Sequence, residues 1–193
     1  MRDDQGVALP ARRDARGGLV IAALAAACAL VVVLGWQNRG LRESQQALAE
    51  RANGPYVGMF VPVVSAETLA GPPLVLGAPA GAPQILYFFT ATCAYCKASI
   101  PAVHELARRA PGAELIGVGA GPVDELAAYT RDNGFGFPVV ELADDRDRAL
   151  YRSRDVPMVL VVDRDGRVRY RHVGELGPQH VDEILAAAAV PAR

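Results

Sequence analysis

The chain changes character along its length, and the spacing of its apolar positions marks where. Leu19 to Trp36 (LVIAALAAACALVVVLGW) carries no charged residue and is apolar all round a helix. About 20 such residues cross a bilayer core, so the stretch predicts a membrane anchor over residues 18–37. From Arg39 to Ala52 the chain turns polar and rich in helix formers, and Asn53-Gly54-Pro55 stops it. This predicts a solvated extension of the anchor helix, a stalk over 38–55. Leu41 and Leu48 share a heptad spacing, a weak sign of helix pairing.

From residue 56 to the end, apolar runs alternate with amphipathic segments. Tyr56–Val64 alternates loosely and predicts a strand. Gly71-Pro72-Pro73 breaks the chain and Leu74–Leu76 resumes it, giving a short N-terminal hairpin. Gln84–Phe89 (QILYFF) and Met158–Val162 (MVLVV) are continuous apolar runs, as in strands buried on both faces. Glu114–Gly119, Phe137–Glu141 and Arg167–Val173 complete the strands, and Asp163-Arg164-Asp165-Gly166 reads as the hairpin turn before the last of them. Helices are expected over Cys93–Arg109, Val123–Asp132, Asp144–Arg152 and Pro178–Ala189. Strands alternating with helices predict an α/β domain over 56–193, a mixed central sheet flanked by helices on both faces.

Composition narrows the function classes. With 51% hydrophobic and 21% charged residues the chain can build a core. The net charge of −1 comes with no basic stripe, so nucleic acid is not an expected partner. Arg2, Arg12, Arg13 and Arg16, offset by Asp3, Asp4 and Asp14, precede the apolar stretch, and Arg39 and Arg42 follow it. This modest bias favours the tail of residues 1–17 in the cytoplasm and the C-terminal domain outside it. Three other readings compete with a permanent anchor, one of them a buried helix of a soluble protein, which rarely stays apolar on all faces for this long. A cleaved signal peptide would have a shorter apolar region and a small-x-small site, and none is evident after Trp36. A lipoprotein signal ending at Cys28 would be followed by a polar tether, whereas the apolar run continues from Ala29 to Leu34.

The chemistry lies in Cys93-Ala94-Tyr95-Cys96, which follows a buried strand and opens a helix. Free backbone N–H groups at a helix start favour a thiolate at Cys93. Cys96, one turn later, can attack a mixed disulfide formed there. A zinc site would need a second ligand pair; none exists, and His104, His172 and His180 are scattered, so no metal or cofactor is expected. A structural disulfide is a further reading, though a strand-to-helix junction is an unusual place for one. Pro157 opens a buried strand although proline removes a ladder donor. A cis Val156–Pro157 bond would let the neighbouring backbone face the cysteines and meet an extended peptide. Pro101 should kink the cysteine helix. Lys97 could favour a thiolate, but a solvated helix lysine is the simpler reading, and His104 is expected on an exposed helix face.

These residues carry a resemblance. QILYFF, CAYC, Pro101, FPVV at 137–140, VPMVLVVDRDG at 156–166 and Gly174 are similar to the thioredoxin superfamily, in its membrane-anchored TlpA/ResA-like periplasmic branch, over Gly58 to the C-terminus. The resemblance implies a thioredoxin fold, a cis Val156–Pro157 bond, Cys93 as the attacking thiol and Cys96 as its partner, with Val156, Pro157 and Tyr95 meeting substrate. It implies a periplasmic thiol–disulfide oxidoreductase acting on protein thiols and disulfides, reductase rather than oxidase, fed by a membrane electron-transfer partner. The chain departs from the pattern at Thr92, where a tryptophan is common, at Ser99, where relatives in cytochrome maturation carry a glutamate, and at Tyr87, where thioredoxin has a buried aspartate. Two other functions remain open. One is a peroxiredoxin-like peroxidase, suggested by Thr90 three residues before Cys93, with Leu86 where a proline is expected. The other is a non-enzymatic assembly factor that uses the fold as a surface.

Overall fold

The computed structural model describes residues 15–78, 81–142 and 145–189. The tail of residues 1–14 and the expected helix start at Asp144 lie outside them. The chain divides into two units, residues 1–48 and 49–193. Most of the first is α1 (Ala15–Asn53), one unbroken helix that runs through the apolar stretch and the polar stalk. Its segment Gly17–Arg42 is 26 residues long and apolar enough to cross a membrane. At about 1.5 Å per residue it rises roughly 39 Å, more than the roughly 30 Å of a hydrocarbon core. Its length and composition, near the N-terminus, are compatible with a membrane anchor or with a signal sequence.

The second unit is built on five strands in the order β5-β4-β3-β6-β7. They are β3 (Gln84–Phe89), β4 (Glu114–Gly119), β5 (Val139–Glu141), β6 (Met158–Val162) and β7 (Val168–Val173). A separate two-stranded hairpin, β1 (Val64–Ala66) and β2 (Leu74–Leu76), precedes them. β3 pairs in parallel with β4 and antiparallel with β6, so the apolar runs QILYFF and MVLVV lie side by side at the centre. Neither exposes a residue, which is why neither alternates.

The helices are distributed less evenly than the sequence suggests. α3 (Ile100–Arg109), α4 (Val123–Asp132) and α6 (Pro178–Ala189) bury their apolar sides in one cluster with Ile85, Tyr87, Phe89, Val159 and Val161. The crossovers β3–α3–β4 and β4–α4–β5 step the same way across the sheet, and right-handed crossovers then put both helices on one face. The other face, formed by Leu86, Phe88, Ile116, Leu160 and Val162, is covered by Met59, Val61, Ala66 and Leu76 and by Tyr151, which follows the short helix α5 (Asp145–Leu150).

Two expectations are corrected here. Tyr56–Val64 is not a regular strand: it meets the sheet at one isolated bridge, Phe60 to Arg167, flanked by backbone bonds of Gly58, Met59 and Val61, and its alternation records Met59 and Val61 packing onto the sheet. Pairing begins only at Val64. The helix expected over Cys93–Arg109 is two, α2 (Ala94–Ala98) and α3, parted at Ser99, because Pro101 in the first turn of α3 has no N–H to continue the ladder.

Gln84 fastens the hairpin to the sheet. Its side-chain carbonyl accepts from the Gly77 N–H at 3.0 Å, and its amide donates to the Val75 carbonyl at 2.9 Å and to Glu114 at 3.0 Å. Gly77 itself has a φ of 79°, and a Cβ there would run into the Pro62 carbonyl. Replacing Gln84 with Ala strands the buried Gly77 N–H. We expect a loss of about 2 kcal/mol in urea unfolding monitored by circular dichroism.

Candidate functional site

The end of β3 delivers the chain to the CxxC segment. The Cys93 N–H donates to the Thr90 carbonyl at 3.4 Å, closing a tight turn, and Cys93 then caps α2 from an extended backbone (φ −77°, ψ 114°). Its carbonyl accepts from Lys97 N–H at 3.1 Å, and its Sγ accepts from Cys96 N–H at 3.1 Å. Cys93 is partly exposed; Cys96, one turn on, has no exposed surface, and both are free thiols.

The site's other wall comes from the far side of the sheet centre. Because β6 lies beside β3, the residue preceding β6 reaches the loop following β3. The Val156 carbonyl stands 3.6 Å from Cys93 Sγ and accepts a weak bond from its thiol. The Val156–Pro157 bond is cis, and the Pro157 carbonyl accepts from the Gly174 N–H at 2.8 Å. The two cysteines and Val156-Pro157, separated by some sixty residues of sequence, are thus one constellation. Tyr95, the third expected substrate contact, is 65% exposed on α2 beside them.

Burial is the largest influence on Cys96 and, with Cys93 beside it, pushes its thiol up to about 12. The Thr90 backbone and the Tyr87 hydroxyl pull the other way. Tyr87 occupies the pocket beneath the pair, where its hydroxyl donates to the Cys96 carbonyl at 3.2 Å, and burial raises its own pKa strongly. Ser99, fully buried at the break between α2 and α3, donates to the Tyr95 carbonyl at 2.7 Å and accepts from Leu176 N–H at 3.0 Å.

A cleft of ≈ 350 Å³ opens beside Val156, edged by Thr90, Ala120, Arg148, Ser153 and Arg154. Sequence reasoning missed the last three, since a charged run after a short helix reads as solvated surface. Lys97 is exposed. His104 is not on an open face as expected: it is half-buried, edge-on to Phe135, with Nε2 2.9 Å from the Asn133 carbonyl. Among the described residues no group of three or more His, Cys, Asp or Glu is placed to hold a metal ion.

The model of the AhpC/TSA family matches residues 57–171, more than half of the chain. The chain belongs to the AhpC/TSA family. No curated protein matches it in sequence. Solved structures similar to this AhpC/TSA chain fix its fold as thioredoxin-like. StoA from Bacillus subtilis superposes with a TM-score of 0.57 at 19% identity, over 64% of this chain and 96% of its own. A thiol:disulfide interchange protein of the thioredoxin family from Chlorobium tepidum gives 0.59 at 21% identity, over 70% and 99%. Peroxidoxin BcpB from Mycobacterium tuberculosis gives 0.59 at 20%, over 69% and 96%.

Exposure and burial separate the two thiols. With iodoacetamide at neutral pH, the native full-length protein should be alkylated at Cys93 while Cys96 stays unmodified until the protein is unfolded. Peptide mass spectrometry reads both, and equal labelling of the two in the native state would contradict the geometry.

Proposed function

We propose that this chain is a thiol–disulfide oxidoreductase of the TlpA/ResA-like kind, anchored in the inner membrane by the helix through residues 18–37 and working on protein thiols and disulfides in the periplasm. One observation carries the reading. A partly exposed Cys93 caps a helix against the Val156 carbonyl, with a buried Cys96 one turn behind it.

The geometry supports a two-step exchange. The Cys93 thiolate attacks one sulfur of a substrate disulfide; a Cys93–substrate S–S bond forms, the substrate's own S–S bond breaks, and the first thiolate leaves to take a proton from water. Cys96 then gives up its proton and attacks Cys93 Sγ. The Cys93–Cys96 bond forms, the mixed disulfide breaks, and the second substrate sulfur leaves as a thiol. Two electrons have passed to the substrate, and a membrane-borne dithiol donor restores the pair. Val156 and Pro157 hold the extended substrate beside Cys93, and Tyr95 borders the same opening.

The reducing direction rests on the resemblance to the membrane-anchored TlpA/ResA-like branch, and the potential of the cysteine pair decides it.

Full-length protein in detergent micelles, equilibrated with glutathione or dithiothreitol, should give a potential near or below about −270 mV; a value near about −120 mV would make it a disulfide donor. Cys93→Ser should abolish insulin reduction, and Cys96→Ser should accumulate mixed disulfides visible on non-reducing gels. Retained turnover in Cys93→Ser would overturn the proposal. The family match and Thr90, whose carbonyl holds the Cys93 N–H, favour a peroxidase as the second reading. Rapid dithiol-dependent consumption of hydrogen peroxide would put it first.

A further inference from the structure

The cleft beside Val156 gives the exchange site a wall with a charge of its own. Val156 places its carbonyl 3.6 Å from Cys93 Sγ, and Thr90, which also lines the cleft, accepts from the Cys93 N–H at 3.4 Å. A polypeptide whose sulfur meets Cys93 therefore has this opening next to it. The charged side chains that line it are Arg148 and Arg154, and no described carboxylate does. Asp155, next in the chain to Arg154, is exposed and is not part of the lining. Arg154 lies two residues before Val156, at most about 7 Å of extended chain.

A run of charge after a short helix is ordinarily a solvated surface. Here the run is fastened to the fold. Tyr151, which has no exposed surface, donates its hydroxyl to the Pro62 carbonyl at 2.8 Å. Arg152 turns the chain with a φ of 52°, a left-handed value that is costly outside glycine. The Ser153 N–H and hydroxyl then both donate to the Arg148 carbonyl, at 3.1 and 3.2 Å. That closure brings the chain back to the end of α5, so Arg148 and Arg154 come to one opening. Arg154 is exposed and makes no ion pair among the described residues.

A cleft lined by one sign of charge, with low-dielectric walls, concentrates its field and selects the opposite sign. Ala120, Ala149 and Val156 supply the apolar part of the lining. The volume of ≈ 350 Å³ admits a short piece of extended chain and not a folded surface. We propose that this cleft reads an acidic residue beside the substrate's reacting cysteine: Arg154, together with Arg148, pairs with that carboxylate while the neighbouring sulfur lies at Cys93. The substrate class is thus a protein disulfide with an aspartate or glutamate close to the cysteine that Cys93 attacks. This role deepens the exchange reaction proposed above and rests on it. The arginines hold the substrate, and the sulfur chemistry is unchanged.

The test compares three peptides, each with one cysteine in a mixed disulfide with a coloured aromatic thiol. Glutamate, glutamine or lysine flanks that cysteine on both sides. Full-length protein with Cys28→Ser, reduced and held in nonionic detergent, attacks the peptide sulfur through Cys93. The S–S bond breaks, the aromatic thiolate leaves, and its colour gives the rate constant. Each rate is divided by that of dithiothreitol with the same peptide, which removes the peptide's own reactivity. The parent should prefer the glutamate peptide over the glutamine peptide roughly threefold, the share of an exposed ion pair, and over the lysine peptide by more. Salt at about 1 M, where the screening length falls to about 3 Å, should remove most of the preference. Arg154→Glu should reverse the order, and Arg154→Lys, which keeps the charge, should keep it. Equal normalised rates for the three peptides in the parent would overturn the reading. So would the parental order persisting in Arg154→Glu. Equal peptide rates, with reduction of oxidised glutathione alone slowed in Arg154→Glu, would give the cleft to small carboxylate-bearing disulfides and also overturn it. Colour released by Cys93→Ser as fast as by the parent would instead overturn the exchange reaction itself.

Discussion

Strand β3 has no exposed residue from Gln84 to Phe89, and the rest of the molecule follows from that constraint. A strand buried on both faces must sit at the sheet centre, with a neighbour on each side and a layer above and below. Its parallel neighbour β4 is reached through the helix that carries the cysteines. Its antiparallel neighbour β6 begins where β3 ends, with Phe88 opposite Met158. That register sets Val156 against Cys93. The site is thus a consequence of strand order, and the loop carrying Cys93 needs few contacts of its own because two central strands aim it.

The same burial makes every polar atom near the centre a question of partners. Gln84 answers it by gripping Gly77, Val75 and Glu114, and Tyr87 by bonding the Cys96 carbonyl. Asp163, nearly as deeply buried, accepts from the backbone of Asp165 and Arg167 and shapes the turn between β6 and β7. Ser99 does the same for the break between α2 and α3, tying it to Leu176. Gln84, through Glu114, and Ser99, through Leu176, thereby join segments distant in sequence.

Much of this was legible in the sequence, for a physical reason. Glu114–Gly119, Val123–Asp132, Met158–Val162 and Pro178–Ala189 match their observed elements because their burial is written in their own residues. The CxxC pair, Pro101 and Pro157 were legible because each constrains the backbone locally. What was not legible depends on partners elsewhere. Tyr56–Val64 alternates like a strand, yet Met59 and Val61 serve a surface made in part by residues as far along the chain as Val162 and Val168. Which face each helix takes depends on the direction of two crossovers. Ser99 was noticed as a departure, but its bond to Leu176 spans 77 positions.

The cover of the second face has a consequence for synthesis. Gly58 and Met59 bond to Val168, and Val61 to Gly166, so the start of the domain closes on strands near its end. A chain that emerges from its N-terminus makes this cover long before the surface beneath it exists. Met59, Val61 and Leu76 must therefore wait, apolar and unmatched, until β6 and the turn to β7 have emerged. The domain is complete only when nearly all of it is out, and until then its earliest segment is what chaperones and proteases would meet.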